Sequence, residues 1–302
     1  MKAPSPIKLG AALLVGTLAV ATAAIFVRYA NAAAGGSSAA LSLSFAGLRL
    51  SFASLLLAPA WRGLRRAGPT RHTLSLALLA GAFLAVHFAG FITSLGYTSV
   101  AASATLVNTH PLWLSVAAWA WLGQRPSRPG LLGLAVALLG GLLVALAGGG
   151  TAGSEPLLGN ALALVGAAGF TGYFLLGSEA QRRGLSTRHY VVTAYSVAAL
   201  TLLPLPLLAG GGYRGLPLPF YLFALLTAII PQLIGHTAFN WSAKFISPTA
   251  VSLVALLEPL LSGLLAYLLF AEQPGALTLL GAPLLFVGVA VALREAHSPY
   301  QR

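Results

Sequence analysis

Apolar residues gather along this chain in ten long runs, near residues 9–30, 38–60, 73–96, 100–122, 130–148, 157–179, 190–210, 219–243, 249–271 and 276–293. A helix needs about 20 mainly apolar residues to cross the hydrocarbon core of a bilayer. The runs are longer than the strands of a closed barrel and do not alternate polar with apolar positions. In lipid, only helices or closed barrels satisfy the backbone, so the pattern predicts an all-α integral membrane protein with ten transmembrane helices.

Composition supports this expectation. Of the 302 residues, 58% are hydrophobic and 7% charged, against about a quarter charged in a soluble domain, and the mean hydropathy is +0.86. Cysteine and aspartate are both missing, which removes disulfides, thiolate metal sites and cysteine nucleophiles.

The net charge of +12 is spread in short clusters between the runs rather than along one stripe, so it points to membrane orientation and not to nucleic acid. With the N-terminus placed in the cytoplasm, fourteen lysines and arginines fall on that side, and only Arg214 falls outside. Positive residues prefer the cytoplasmic loops, so the N- and C-termini are both expected there, in a cell inner (plasma) membrane. Lys2, Lys8 and the sequence ANA at 30–32 resemble a cleavable signal. The run up to Val27 is longer than a usual signal core, and Arg28 follows it, so the first run is expected to stay as a span.

The chain also repeats itself. Residues 109–126, THPLWLSVAAWAWLGQRP, align without gaps on 257–274, LEPLLSGLLAYLLFAEQP, at an offset of 148. Pro111 then matches Pro259, Gln124 matches Glu272, and Gly133 and Gly140 match Gly281 and Gly288. His87 meets His236 after a one-residue shift. Two halves follow, 1–150 and 151–302, each with five helices. An odd number of spans per half inverts the second half in the membrane, an arrangement by which many secondary transporters alternate access to a midplane site.

With ten expected helices, this inversion and the string LLEPLLSGLLAYLLFAEQP, the sequence resembles the drug/metabolite transporter superfamily, in particular its EamA-like family. The resemblance covers nearly the whole chain. It implies export of amino acids or related small metabolites, with no cofactor. Two positions depart from the family pattern: Gln124 stands in place of a glutamate, and Ala271 in place of a glycine.

Ionisable groups inside a span are costly and usually face a cavity or a partner. Candidates for a substrate-binding or translocation cavity are Arg28, Arg49, His87, Asn108, His110, Trp113, Gln232, His236, Asn240 and Glu258. Gln232, His236, Asn240 and Lys244 recur every fourth residue and so share one helix face. That face serves either as a cavity wall or as a site of interhelical hydrogen bonding. Pro111 and Pro259 are expected to kink their helices and act as hinges.

Glu258 is the only carboxylate in mid-membrane, so Arg49 either pairs with it or receives a substrate carboxylate. His110 is the repeat mate of Glu258, which makes these two the proton-coupling candidates. For His110 and His87, a neutral ring bonded to a helix carbonyl is the alternative. Runs three, four, eight and nine, with Arg28 and Arg49, are expected to enclose the cavity, while runs five and ten pack on each other through glycines.

Enzymatic signatures are lacking: the sequence has no G-x-x-x-x-G-K-[ST] loop, no H-E-x-x-H and no G-x-S-x-G. The expected partners are a small-molecule substrate and the lipid bilayer, in a monomer or homodimer, with no metal. Two alternatives stay open, an anion or nucleotide-sugar exchanger of the same superfamily and a lipid flippase or lipid-modifying enzyme.

Overall fold

The computed structural model describes residues 4–36, 38–94, 97–98, 103, 106–123, 127–147, 155–271 and 275–296. Gln124 and Glu272 lie outside them. The described residues are helical, without strands. In chain order the helices are α1 (Pro6–Ala33), α2 (Ala39–Leu56), α3 (Ala58–Ala67), α4 (Arg71–Ser94), α5 (His110–Leu122) and α6 (Arg128–Ala147). The second half follows with α7 (Pro156–Arg182), α8 (Thr187–Leu202), α9 (Leu218–Ser242), α10 (Pro248–Ala255), α11 (Glu258–Phe270) and α12 (Ala276–Ala296). Seven helical segments among the described residues are long and apolar enough to cross a membrane, and Arg128–Leu143 and Ala276–Ala292 are shorter apolar helices.

Local chemistry sets the helix ends. Ser5, Ser38, Ser186 and Ser247 each precede a helix and accept a hydrogen bond from a backbone N–H three residues on, at 3.0–3.3 Å, which satisfies a donor that the first turn leaves free. The two long proline-containing runs, expected to kink, break into separate helices. A turn at Asn108–Thr109 precedes α5, and a turn at Leu256–Leu257 separates α10 from α11. Each proline occupies the second position of the helix that follows, where its missing N–H costs nothing.

The matched half-helices α5 and α11 also end alike. Gly123 has φ 68°, and its repeat mate Ala271 has φ 54°. A side chain in this left-handed region costs about 1–2 kcal/mol. Ala271→Gly is therefore expected to raise the stability of the purified protein by about 1 kcal/mol, read as a higher melting temperature in detergent; an unchanged or lower one would count against strain at this cap.

Glycines decide which helices touch. On α6, a Cβ at Gly133 would strike Ala292 and the Gly288 carbonyl, and one at Gly140 would strike Leu285 and the Gly281 carbonyl. On α12, a Cβ at Gly288 would meet Ala137 and the Gly133 carbonyl. Positions rise along one helix as they fall along the other, so α6 and α12 cross antiparallel with their backbones in contact, as expected for runs five and ten.

Elsewhere α7 closes on α4, where Gly90 faces Leu162 and Gly166, and Gly169 faces the His87 backbone. Across the molecule α1 closes on α9, where Gly235 faces Val20 and the Gly16 carbonyl. The main core lies where α2, α4, α7, α8 and α9 converge, with Leu50, Leu84, Tyr173, Tyr190 and Tyr195 fully buried.

Candidate functional site: a buried polar cluster around Arg49

Arg49 sits two-thirds of the way along α2 and is 8% exposed. A guanidinium that deep needs acceptors and a polarisable face. Its Nε donates to Gln232 Oε1 at 2.9 Å, and its Cζ lies 4.6 Å from the centre of the Phe88 ring on α4. Among the described residues, Arg49 Nη2 and Gln232 Nε2 are buried donors with no partner. Each is separated by a single carbon from an atom of the bonded pair, so both belong to the Arg49–Gln232 contact.

Gln232 owes its position to a local irregularity. Residues Ala228–His236 within α9 form a π-helix, with Pro231 inside it. A π-turn takes one more residue than an α-turn and is frequent at functional sites. The polar face predicted from a four-residue period survives in part: Gln232, His236 and Asn240 are all buried, whereas Lys244 lies in the turn beyond the helix and is half-buried.

The inward residues have different partners. The Gln232 carbonyl accepts from Tyr195 Oη at 3.3 Å. Asn240 Nδ2 donates to Tyr173 Oη at 2.5 Å, while the Asn240 carbonyl accepts from Gln181 Nε2 at 3.0 Å. Gln181 Oε1 in turn accepts from Thr187 at 2.6 Å.

Three histidines meet around Phe170 of α7. Ring centres lie 5.1 Å away for His87, 4.4 Å for His110 and 6.4 Å for His236. His87 Nδ1 is 2.9 Å from the Gly166 carbonyl, the satisfied arrangement that the sequence left open. His110 is the first residue of α5, and its Nδ1 lies 3.3 Å from Ser252 Oγ on α10. Despite this convergence, no three metal-ligating side chains form a group among the described residues.

Glu258 is the first residue of α11, as its mate His110 is of α5. A carboxylate in a first helical turn is favoured by the helix dipole. The direct Arg49–Glu258 pair is not formed: the guanidinium bonds Gln232, and among the described residues Glu258 has no ion pair.

Other expected positions fall away from this cluster. Arg28 lies over the Phe270 ring, 4.1 Å from its centre, beside Tyr29, two helical turns along α1 from the Val20 contact with Gly235. Trp113 is 43% exposed, and its Nε1 donates to Thr109 Oγ1 at 3.0 Å. Asn108 lines a separate apolar cavity of about 220 Å³ with Leu138, Leu142, Leu256 and Leu285. The Arg49 cluster itself is packed, and α7 and α8 contribute to it through Phe170, Tyr173 and Tyr195, which were not singled out from the sequence. Their only signal there is a hydroxyl in mid-run, in Tyr173 and Tyr195.

Comparison with known proteins agrees with this architecture. The model of the EamA-like transporter family matches the chain twice, at residues 9–146 and 157–294. The chain belongs to the EamA-like transporter family. The two matches begin 148 residues apart, the offset of the internal repeat. This EamA-like protein is thus a multi-pass membrane protein made of two copies of the family unit.

An "Uncharacterized transporter" of Archaeoglobus fulgidus is 28% identical over 233 residues, covering 77% of this chain and 80% of that one. A "Probable terminal-alkyne amino-acid exporter" of Streptantibioticus cattleyicolor is 26% identical, covering 65% and 67%. The pseudopaline exporter CntI of Pseudomonas aeruginosa is 24% identical, covering 74% and 77%. A solved crystal structure shares the fold at a TM-score of 0.73 and 18% identity, covering 95% of this chain and 98% of that one.

Proposed function

We propose that this EamA-like protein is a secondary transporter that exports amino acids or related small metabolites carrying a carboxylate. The observation that carries this reading is the pair of buried, unpartnered donors on two bonded side chains, Arg49 Nη2 and Gln232 Nε2. An unmade buried hydrogen bond costs about 1–3 kcal/mol, more at a charged group. A carboxylate has two oxygens and the charge to satisfy both donors at once. The names of two relatives, one an amino-acid exporter and the other a pseudopaline exporter, support the same class.

Movement is proposed to follow alternating access between two inverted halves of five spans each. The antiparallel crossing of the repeat mates α6 and α12 supports inversion, since mates of parallel halves would run in the same direction. The paired breaks before His110 and Glu258 supply matched hinges at Pro111 and Pro259. These two titratable groups, at the starts of their half-helices, are the candidates for proton coupling. The excess of lysine and arginine between alternate spans supports cytoplasmic termini and an inner-membrane location.

The test is counterflow in proteoliposomes with a panel of radiolabelled amino acids and their carboxamides, with and without a pH gradient. Exchange of the acids without exchange of the amides is expected. If no solute moves under any condition, the exporter reading fails.

A further inference from the structure

A groove of about 530 Å³ lies between the start of α1, the start of α8 and the end of α9. Its chemistry is graded. The mouth holds Lys8 in the first turn of α1, Arg188 in the first turn of α8 and Trp241 in the last turn of α9. The Lys8 ammonium lies 5.9 Å from the centre of the Trp241 ring, so the cation and the indole sit together. One turn inward the lining becomes Ala12 on α1 and Val191 on α8, and two turns inward it becomes Leu233 and Ile234 on α9. The lining contains two cations and no carboxylate. Ile234 is 44% exposed, so the aliphatic part of the groove opens on the outer surface of the helix bundle, where acyl chains lie.

We propose that this groove binds an anionic phospholipid, with its phosphate between Lys8 and Arg188 and the upper part of an acyl chain against Val191, Leu233 and Ile234. Basic pockets between spans at the membrane surface take anionic head groups, and tryptophan settles at the same level. A soluble anion has a use for the two cations but none for two turns of aliphatic wall beneath them. The proposal is independent of which solute the protein moves, because neither Arg49 nor Gln232 lines the groove.

The experiment titrates the full-length protein in detergent with phosphatidylglycerol, phosphatidylcholine and glycerol 3-phosphate, and counts bound molecules by native mass spectrometry. Phosphatidylglycerol is expected to bind more tightly than phosphatidylcholine. Each cation near a membrane surface contributes about fivefold in affinity, so Lys8→Ala with Arg188→Ala should weaken phosphatidylglycerol about 25-fold and leave phosphatidylcholine unchanged. Lys8→Arg with Arg188→Lys should keep the preference.

Equal binding of the two lipids, or a preference that survives the double alanine variant, overturns the proposal. So does glycerol 3-phosphate binding as tightly as phosphatidylglycerol, which would make this a site for a soluble anion. Should the double alanine variant fold poorly, Lys8→Gln at an exposed side chain reads the same preference, with a loss of about fivefold expected and no loss overturning it.

Discussion

Gln232→Glu is expected to stop transport while leaving the protein folded. In the native chain Arg49 has one acceptor in Gln232, and Arg49 Nη2 and Gln232 Nε2 remain without partners among the described residues. A glutamate of the same length replaces the amide donor with a second acceptor, so Arg49 gains a bidentate carboxylate from within the protein. The new charge is buried, but it arrives opposite a buried cation, which offsets the desolvation cost. Melting temperature should therefore be unchanged or higher. A substrate carboxylate would lose its counter-charge and meet a repulsive one. Loss of a buried charged contact is commonly about 2–5 kcal/mol, so uptake of the best substrate should fall on the order of a hundredfold or more. Full transport in a folded Gln232→Glu protein would make Arg49 a structural strut and remove the main support for a carboxylate substrate.

Gly288→Ala should give the largest loss of stability among single-methyl changes. Its Cβ would strike Ala137 and the Gly133 carbonyl, which are main-chain atoms and cannot rotate away. Relief requires α12 to move off α6 along the crossing that joins the two halves. Overpacking of this kind costs about 1–3 kcal/mol and occasionally more, and here it should appear as lower folded yield and an earlier thermal melt in detergent. Gly141→Ala is the control, since a Cβ there meets nothing within 4 Å. Equal behaviour of the two variants would show that the crossing tolerates separation.

How much of this was legible beforehand differs from element to element. The apolar runs, the 148-residue repeat and the glycines of α6 and α12 follow from composition and spacing; among the described residues, seven helical segments are long and apolar enough to cross a membrane, against ten expected runs. The prolines were found as kink points, and the structure sharpens their effect: the chain breaks just before them and starts new helices. At the site, burial of Gln232, His236 and Asn240 on one face was readable from their period. The π-turn was not, because local propensity contains no signal for the extra residue. For Arg49 the sequence offered Glu258 or a substrate carboxylate, whereas a neutral amide 183 residues away took the contact. Trp113 and Arg28 were named from their places in the runs, and place in a run leaves open which way a side chain turns.

The sequence by itself determined that this protein lives in a membrane, that it is made of two related halves, and which few polar groups had to be accommodated inside. Those properties depend on composition and on spacing along one helix, which a linear chain carries in full. Tertiary structure alone decided which of those groups meet. It put Arg49 against Gln232 and Phe88, three histidines around Phe170, and Arg28 at the far end of α1. Such contacts arise from helices packing at glycine-limited distances across long separations in sequence, so they exist only once the halves have closed on each other.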